Sequence, residues 1–164
     1  MKDNILEQEV ASLLLSLKLT IAVAESCTGG LICHRLTNIS GSSDYLQMGV
    51  VTYSNRSKIE FLGVPERIIK EQGAVSEACV QAMAIGIKRL AGSGLGLAVS
   101  GIAGPTGGTA DKPVGTVHVA LASNGDVDYW KYLFEGSRSE VKQQASEEGL
   151  LRIRDHCLSL KHDG

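Results

Sequence analysis

Aromatic residues are scarce in this chain: two phenylalanines, one tryptophan and four tyrosines among 164 residues. A platform that stacks nucleic-acid bases needs more than that. An excess of one charge is missing too, since 16 Lys and Arg against 18 Asp and Glu leave a formal net charge of −2. That balance fits neither a nucleic-acid footprint nor electrostatic docking to a membrane surface. No apolar stretch approaches the ~18 residues a membrane span requires. Met1-Lys2-Asp3-Asn4 leads into an amphipathic helix rather than a signal-peptide core. The four cysteines, Cys27, Cys33, Cys79 and Cys157, form no CxxC pair and no metal-spaced set. Cys79 and Cys157 fall on apolar helix faces and read as small buried hydrophobes. No HExxH or similar spacing joins His34, His118, His156 and His162, so no metal site is expected. His118 alternates with Val117 and Val119 and reads as a satisfied sheet histidine. Together these absences point to a reducing, cytoplasmic protein with no nucleic-acid or membrane partner and no cofactor.

Glycine, by contrast, is plentiful at 19 residues, and 43% of the chain is hydrophobic. The length suits a single domain over residues 1–164 with a full core. Periodicity predicts a helix over Asn4–Leu17, with Leu6, Val10, Leu13, Leu14 and Leu17 on one face. A buried strand Thr20–Ala24, a helix Thr28–Asn38 and a turn Gly41–Asp44 follow. A longer strand covers Tyr45–Tyr53, and Ser54-Asn55 opens a short helix through Lys58 that stops at Gly63. Another runs from Pro65 to about Gln72. Ser76–Ala91 is the clearest helix, ended by Gly92. Leu95–Ser100 is a buried strand, followed by a Gly-rich loop from Gly101 to Pro113. Strands Gly115–Ser123 and Val127–Phe134 flank Asn124-Gly125-Asp126, a hairpin signal. The last helix opens on Ser137-Arg138-Ser139-Glu140, a capping-box pattern. It carries Val141, Ala145, Gly149, Ile153 and Cys157 in a small-residue stripe. Strands alternating with helices, plus one hairpin, predict a three-layer α/β/α domain with a mixed sheet. The amphipathic first and last helices are compatible with a homo-oligomer, although core packing accounts for the same stripes.

Three segments carry chemistry. The first is Glu25-Ser26-Cys27-Thr28-Gly29-Gly30, where a hydroxyl and a thiol sit at a strand-to-helix turn. N–H groups around Thr28, Gly29 and Gly30 are expected to face an anion or oxyanion. The second is Tyr53-Ser54-Asn55-Arg56-Ser57-Lys58. A Tyr at a strand end and a Lys one helical turn later can share a crevice with a Ser and form a nucleophilic set without a metal. The lysine must lose its proton for that role, and burial or a neighbouring cation such as Arg56 would lower its pKa. The third is the loop with Gly101, Gly104, Pro105, Thr106, Gly107, Gly108 and Thr109. It follows a strand, where open α/β sheets bind ligands, and it suits a phosphate. It is neither a Walker A loop nor GxGxxG.

Together AESCTGG, VVTYSNRSK, SGIAGPTGGTADKPVGTVHVAL and GSRSEVKQQASEEGLL resemble, in that order, the C-terminal domain of the CinA family. Standalone members of that family are nicotinamide-nucleotide amidohydrolases. The resemblance implies metal-free hydrolysis of nicotinamide mononucleotide to nicotinic acid mononucleotide and ammonia. It places the family's catalytic Ser on Ser26, its Tyr on Tyr53 and its Lys on Lys58. The substrate-binding set would be Thr28, Gly29, Gly30 and Asn55 with the loop residues named above. Family members commonly have Glu-Ala before the Lys, where this chain has Arg56-Ser57. A Pro-Glu pair is frequent where Ala110-Asp111 stands. The family's larger N-terminal domain is not among these residues, which suggests the short, amidase-only form.

The expected reaction is acyl-enzyme amide hydrolysis. Ser26 attacks with neutral Lys58 as base, Tyr53 relays a proton to the departing ammonia, and the Gly101–Thr109 loop holds the ribose phosphate. Two alternatives stand beside it. Cys27 could be the nucleophile, because a thiol at a helix start can have a depressed pKa. Or the domain could bind a pyridine nucleotide as a sensor without turning it over.

Overall fold

Five strands share one sheet: β1 (Ile21–Glu25), β2 (Leu46–Val51), β3 (Leu95–Gly101), β4 (Thr116–Ala122) and β5 (Val127–Leu133), as seen in a computed structural model that describes residues 4–164. Their order across the sheet is β2-β1-β3-β4-β5. β1 runs parallel to both β2 and β3, whereas β3–β4 and β4–β5 are antiparallel. Six α-helices cover the faces: α1 (Ile5–Leu17), α2 (Leu31–Thr37), α3 (Asn55–Leu62), α4 (Glu66–Gln72), α5 (Glu77–Ala91) and α6 (Arg138–His162). The result is the expected three-layer α/β/α fold with a mixed sheet.

The two faces of the sheet are built from residues of different size. Ile21, Val23, Leu97, Val99, Val119 and Leu121 point to the layer of α1, α2 and α6 and form the larger core with Leu14, Leu36 and Leu150. Ala22, Ala24, Ala98, Ala120 and Ala122 point to the opposite layer, where they meet Val80, Met83 and Ile87 of α5. Small side chains on that face let α5 lie close to the strands. A Cβ on Gly96 would stand 2.3 Å from the Ala84 carbonyl oxygen, and one on Gly86 only 2.0 Å from that of Leu62. Backbone therefore rests on backbone at both places, and α3 is seated directly on α5. Each large aliphatic side chain buried here contributes roughly 1.5–3 kcal/mol.

Sequence periodicity placed the elements well and their ends less well. Asn4 and Ser76 lie just outside α1 and α5 at the N-cap positions, and the Ser76 hydroxyl accepts from the Cys79 N–H. The capping box at Ser137 and Glu140 is formed. β2 stops at Val51, two residues short of Tyr53, because a lysine takes the carbonyls of Thr52 and Tyr53. α2 begins at Leu31 rather than Thr28, since Gly29 and Gly30 take positive φ values of 61° and 102°. The stripe on α6 is buried as expected, and Gly149 lets the helix approach Ile32 and Leu97.

The chain leaves β1 for β2 on one side and then returns across to β3 on the other. The carboxyl ends of β1 and β3 thus flank the point where the strand order reverses, which is where open α/β sheets form a crevice. Among the described residues no helix is long and apolar enough to cross a membrane.

Candidate active site

The pleat of β1 sorts three consecutive residues to opposite sides. Glu25 and Cys27 continue the Ile21, Val23 series towards α2, while Ser26 continues the Ala22, Ala24 series towards α3 and α5. Glu25 is fully buried and serves the structure. Its Oε1 accepts from the Thr28 hydroxyl at 2.6 Å and the Ile32 N–H at 3.0 Å, and its Oε2 accepts from the Cys33 N–H at 3.0 Å. The carboxylate thereby occupies the start of α2, the place expected to hold an oxyanion. Gly29 N–H is also committed, to the Ser26 carbonyl at 3.1 Å. Among the described residues the N–H groups of Cys27, Thr28 and Gly30 are left without a backbone or carboxylate acceptor.

Cys27 is 5% exposed and part of the larger core. Burial and the nearby Glu25 carboxylate push its thiol up to about 12. Such a thiol is neither accessible nor ionised near neutral pH, which counts against it as the nucleophile. Ser26, its neighbour, faces the other way.

On that other side stands Lys58. The Ser54 hydroxyl caps α3 by accepting from the Ser57 N–H at 3.1 Å, and Lys58 follows one turn in, pointing down into the sheet. It is 1% exposed. Its Nζ lies 2.8 Å from Ser26 Oγ, and it donates to the carbonyls of Thr52 at 2.6 Å and Tyr53 at 3.1 Å. No carboxylate pairs with it among the described residues, and burial lowers its pKa. A neutral amine has two N–H donors and one lone pair. The two carbonyls use both donors, so the lone pair is left for the Ser26 hydroxyl, which then donates to Nζ. The ammonium would instead donate to all three oxygens, Ser26 Oγ included, and burial shifts the balance towards the neutral amine. Arg56, suggested by the sequence as the source of the shift, points away and pairs with Glu60 at 2.6 Å on the exposed face of α3.

Tyr53 adds its carbonyl to Lys58, but its hydroxyl points elsewhere. The side chain is 57% exposed, and the hydroxyl accepts from Arg138 Nη2 at 2.9 Å. Arg138 Nη1 also donates to the Gly104 carbonyl at 2.8 Å. One guanidinium thus ties together the rim beside α3, the Gly-rich loop and the start of α6. In the sequence Arg138 reads only as part of the capping-box pattern Ser137-Arg138-Ser139-Glu140. A signal was present, because a cation in the first turn of a helix opposes the macrodipole and needs another reason to be there. Asn55 stands exposed at the first turn of α3.

Several glycines of the loop answer to the fold as much as to any ligand. A Cβ on Gly101 would crowd Val117, and Cβ atoms on Gly104 and Gly108 would collide with Val114. Pro105, Thr106, Gly107, Gly108 and Thr109 are exposed. The Thr109 hydroxyl accepts from the Lys112 N–H at 3.1 Å, closing the loop on itself. His118 is paired as a sheet histidine, with Nδ1 2.6 Å from the Tyr129 hydroxyl, and burial with Lys131 and Lys112 nearby lowers it to about 4.

Two cavities lie on the α6 side of the turn. The larger, about 760 Å³, sits between α1, α2 and α6 and includes none of Ser26, Tyr53 and Lys58. Its wall carries Arg35, which is satisfied by Glu7 at 2.6 Å and Glu147 at 2.7 Å. The smaller, about 340 Å³, is lined by Thr28, Gly29 and Gly30 together with Ser139 and Lys142 of α6.

A family model described as the CinA C-terminal domain matches residues 3–157. A CinA-like protein from Syntrophus aciditrophicus is 55% identical over 158 residues, covering 96% of this chain and 38% of the relative. A second CinA-like protein, from Geotalea uraniireducens, is 49% identical and covers 93% of this chain and 36% of its own length. The chain therefore spans a little over a third of these curated relatives. Among solved structures, a competence-damaged protein (CinA) superfamily protein from Klebsiella pneumoniae superimposes with a TM-score of 0.92 at 34% identity, covering 95% of this chain and 98% of that one. The competence/damage inducible protein CihA from Agrobacterium tumefaciens gives a TM-score of 0.84 at 37% identity, with 97% and 93% covered.

Proposed function

Since this chain belongs to the CinA C-terminal domain family, we propose that it is an amidohydrolase in which Ser26 is the nucleophile and Lys58 the general base. The substrate we propose, from the resemblance of its motifs, is nicotinamide mononucleotide. The observation that carries this reading is the 2.8 Å approach of a buried, carboxylate-free Lys58 amine to the Ser26 hydroxyl. Such a pair serves covalent catalysis, because the amine takes the hydroxyl proton as Oγ attacks.

Ser26 Oγ bonds to the carboxamide carbon while its proton passes to Lys58 Nζ. The negative charge that develops on the amide oxygen meets N–H groups left free at the Cys27–Gly30 turn. As the C–N bond breaks, Lys58 returns the proton to the leaving nitrogen, which departs as ammonia. Tyr53 contributes its carbonyl to the orientation of Lys58, while its hydroxyl is held by Arg138 at the rim. Water then attacks the acyl-enzyme, gives its proton to Lys58, and frees the carboxylic acid as Ser26 is restored.

The test is ammonia release from nicotinamide mononucleotide by the purified protein in the presence of a chelator, beside Ser26→Ala and Lys58→Ala. Release by the parent, with a loss of at least about 10²-fold in each variant, is the expected result. Activity retained in Ser26→Ala would overturn the assignment. Nucleotide binding by a folded parent that releases no ammonia would instead favour a sensing domain.

A further inference from the structure

One register position carries polar side chains across four strands. Glu25 pairs with Val51 on one side and Val99 on the other, and Ser100 pairs with His118. One residue past that pairing, the Thr52 N–H donates to the Glu25 carbonyl at 2.9 Å and the Ser26 N–H to the Val99 carbonyl at 3.0 Å. The row therefore runs Thr52, Ser26, Ser100, His118, and all four residues are buried. It lies on the face of the sheet that meets α5, since the row beneath it is Val50, Ala24, Ala98 and Ala120. Val51 turns the other way, with its Cγ2 3.8 Å from where a Cβ on Gly30 would be.

Three members of the row have partners. Ser26 Oγ meets Lys58 Nζ at 2.8 Å, Ser100 Oγ donates to the Ala74 carbonyl at 2.8 Å, and His118 Nδ1 meets the Tyr129 hydroxyl at 2.6 Å. Thr52 is the exception. It is 2% exposed, and among the described residues its Oγ1 is buried without a hydrogen-bond partner. A buried hydroxyl in that condition costs stability, and a valine would fill the same space without the cost. Thr52 is also the residue whose carbonyl holds Lys58 Nζ at 2.6 Å. The orphan hydroxyl thus belongs to a residue that flanks both partners of the proposed proton transfer.

The proton count during the reaction supplies the missing partner. Neutral Lys58 gives its two N–H groups to the Thr52 and Tyr53 carbonyls and its lone pair to the Ser26 hydroxyl. Once Ser26 Oγ has bonded to the acyl carbon and passed its proton to Nζ, the amine has three N–H groups and no lone pair. The two carbonyls still take two of them. Ser26 Oγ, now joined to carbon, is a weaker acceptor for the third. We infer that the Thr52 hydroxyl accepts this third N–H and holds the Lys58 ammonium until its proton goes to the leaving nitrogen. Thr52 neither gains nor loses a proton, so it is a positioning residue that acts through Lys58. The inference rests on the Ser26–Lys58 reading of the site, and it accounts for a hydroxyl kept where the resting protein offers it no partner.

The experiment measures ammonia release from nicotinamide mononucleotide and thermal unfolding for the parent, Thr52→Val and Thr52→Ser. In Thr52→Val, kcat is expected to fall about 10-fold or more, the scale of one hydrogen bond to a charged group, while KM stays within about twofold. The melting temperature should be unchanged or higher, because an unpartnered hydroxyl has been removed. Thr52→Ser, which keeps the hydroxyl, should restore kcat to within a few fold. A kcat within twofold of the parent in Thr52→Val, an equal loss in Thr52→Ser, or a lowered melting temperature in Thr52→Val would each overturn the inference. If the parent releases no ammonia, the substrate reading fails separately, and labelling of Ser26 by a fluorophosphonate still decides the role of Thr52. That reagent forms an Oγ–P bond and expels fluoride as the Ser26 proton passes to Lys58. Labelling slowed about 10-fold in Thr52→Val and restored in Thr52→Ser supports the inference. Equal rates overturn it, and a parent left unlabelled overturns it together with the Ser26–Lys58 pair.

Discussion

Lys58→Met removes the amine and keeps nearly the same volume, and its effects on rate and stability can be worked from the site. The side chain is 1% exposed and its nitrogen has three oxygen partners between 2.6 and 3.1 Å. Loss of a positioned general base costs about 10²–10⁴-fold in kcat. The carbonyls of Thr52 and Tyr53 each lose a donor, at roughly 1–3 kcal/mol apiece if no water replaces it. Part of that is offset because a polar group no longer has to be buried. A net loss of about 1–3 kcal/mol leaves a folded protein. The sharper measurement is pH dependence. In the unfolded chain this lysine keeps its proton up to its ordinary pKa of 10.5, whereas burial lowers that of the folded state. Between the two values the unfolded state binds more protons, so stability rises with pH across a window that closes at 10.5. kcat/KM should climb over the same window as the amine becomes available as a base. Denaturant titrations at a series of pH values should show this contribution to the slope in the parent and not in Lys58→Met. A variant that keeps more than about a tenth of the activity, or the parent's full slope, would refute the reasoning.

Other substitutions probe the neighbours. Glu25→Ala strips the acceptor from the Thr28 hydroxyl and the Ile32 and Cys33 N–H groups, and should cost about 2–4 kcal/mol in thermal or denaturant unfolding. Cys27→Ala should cost about 1 kcal/mol of core packing and leave kcat within twofold, and alkylating the parent's accessible thiols should spare ammonia release. Tyr53→Phe keeps the carbonyl on Lys58 and removes only the hydroxyl that Arg138 holds; kcat is expected to stay within a few fold with an unchanged melting temperature, and a fall of about 10²-fold would place that hydroxyl in the proton path. Gly86→Ala should destabilise by about 1–3 kcal/mol or more and also lower kcat, because the new methyl lifts the Leu62 end of α3 off α5 and displaces Lys58 one turn earlier.

Much of the fold could be read from the chain because its signals are local. Strand β1, helix α5 with its Ser76 cap, and the Asn124-Gly125 hairpin each announce themselves within a dozen residues. The segments holding Ser26, Lys58 and the Gly-rich loop were legible as motifs, and the structure brings Ser26 and Lys58 together. What escaped the sequence was tertiary. Nothing local says that Glu25 turns to cap α2, that Arg138 reaches back 85 residues to Tyr53, or that Lys142 leans over Gly29. The early end of β2 has the same origin, since a side chain from the following helix claims the strand's last carbonyls.

The alternation at the end of β1 carries a cost for any change in its length. Three successive side chains there have three incompatible duties: a buried anion for α2, a hydroxyl for Lys58, and a thiol for the core. Deleting or inserting one residue between Ile21 and Glu25 would turn every one of them over at once, setting a carboxylate or a thiol against Lys58 and burying Ser26 among leucines. Point substitutions around this strand can be graded, but its residue count cannot. Loops elsewhere are free to lengthen over generations, whereas the spacing from Ile21 to Ser26 has to be inherited intact.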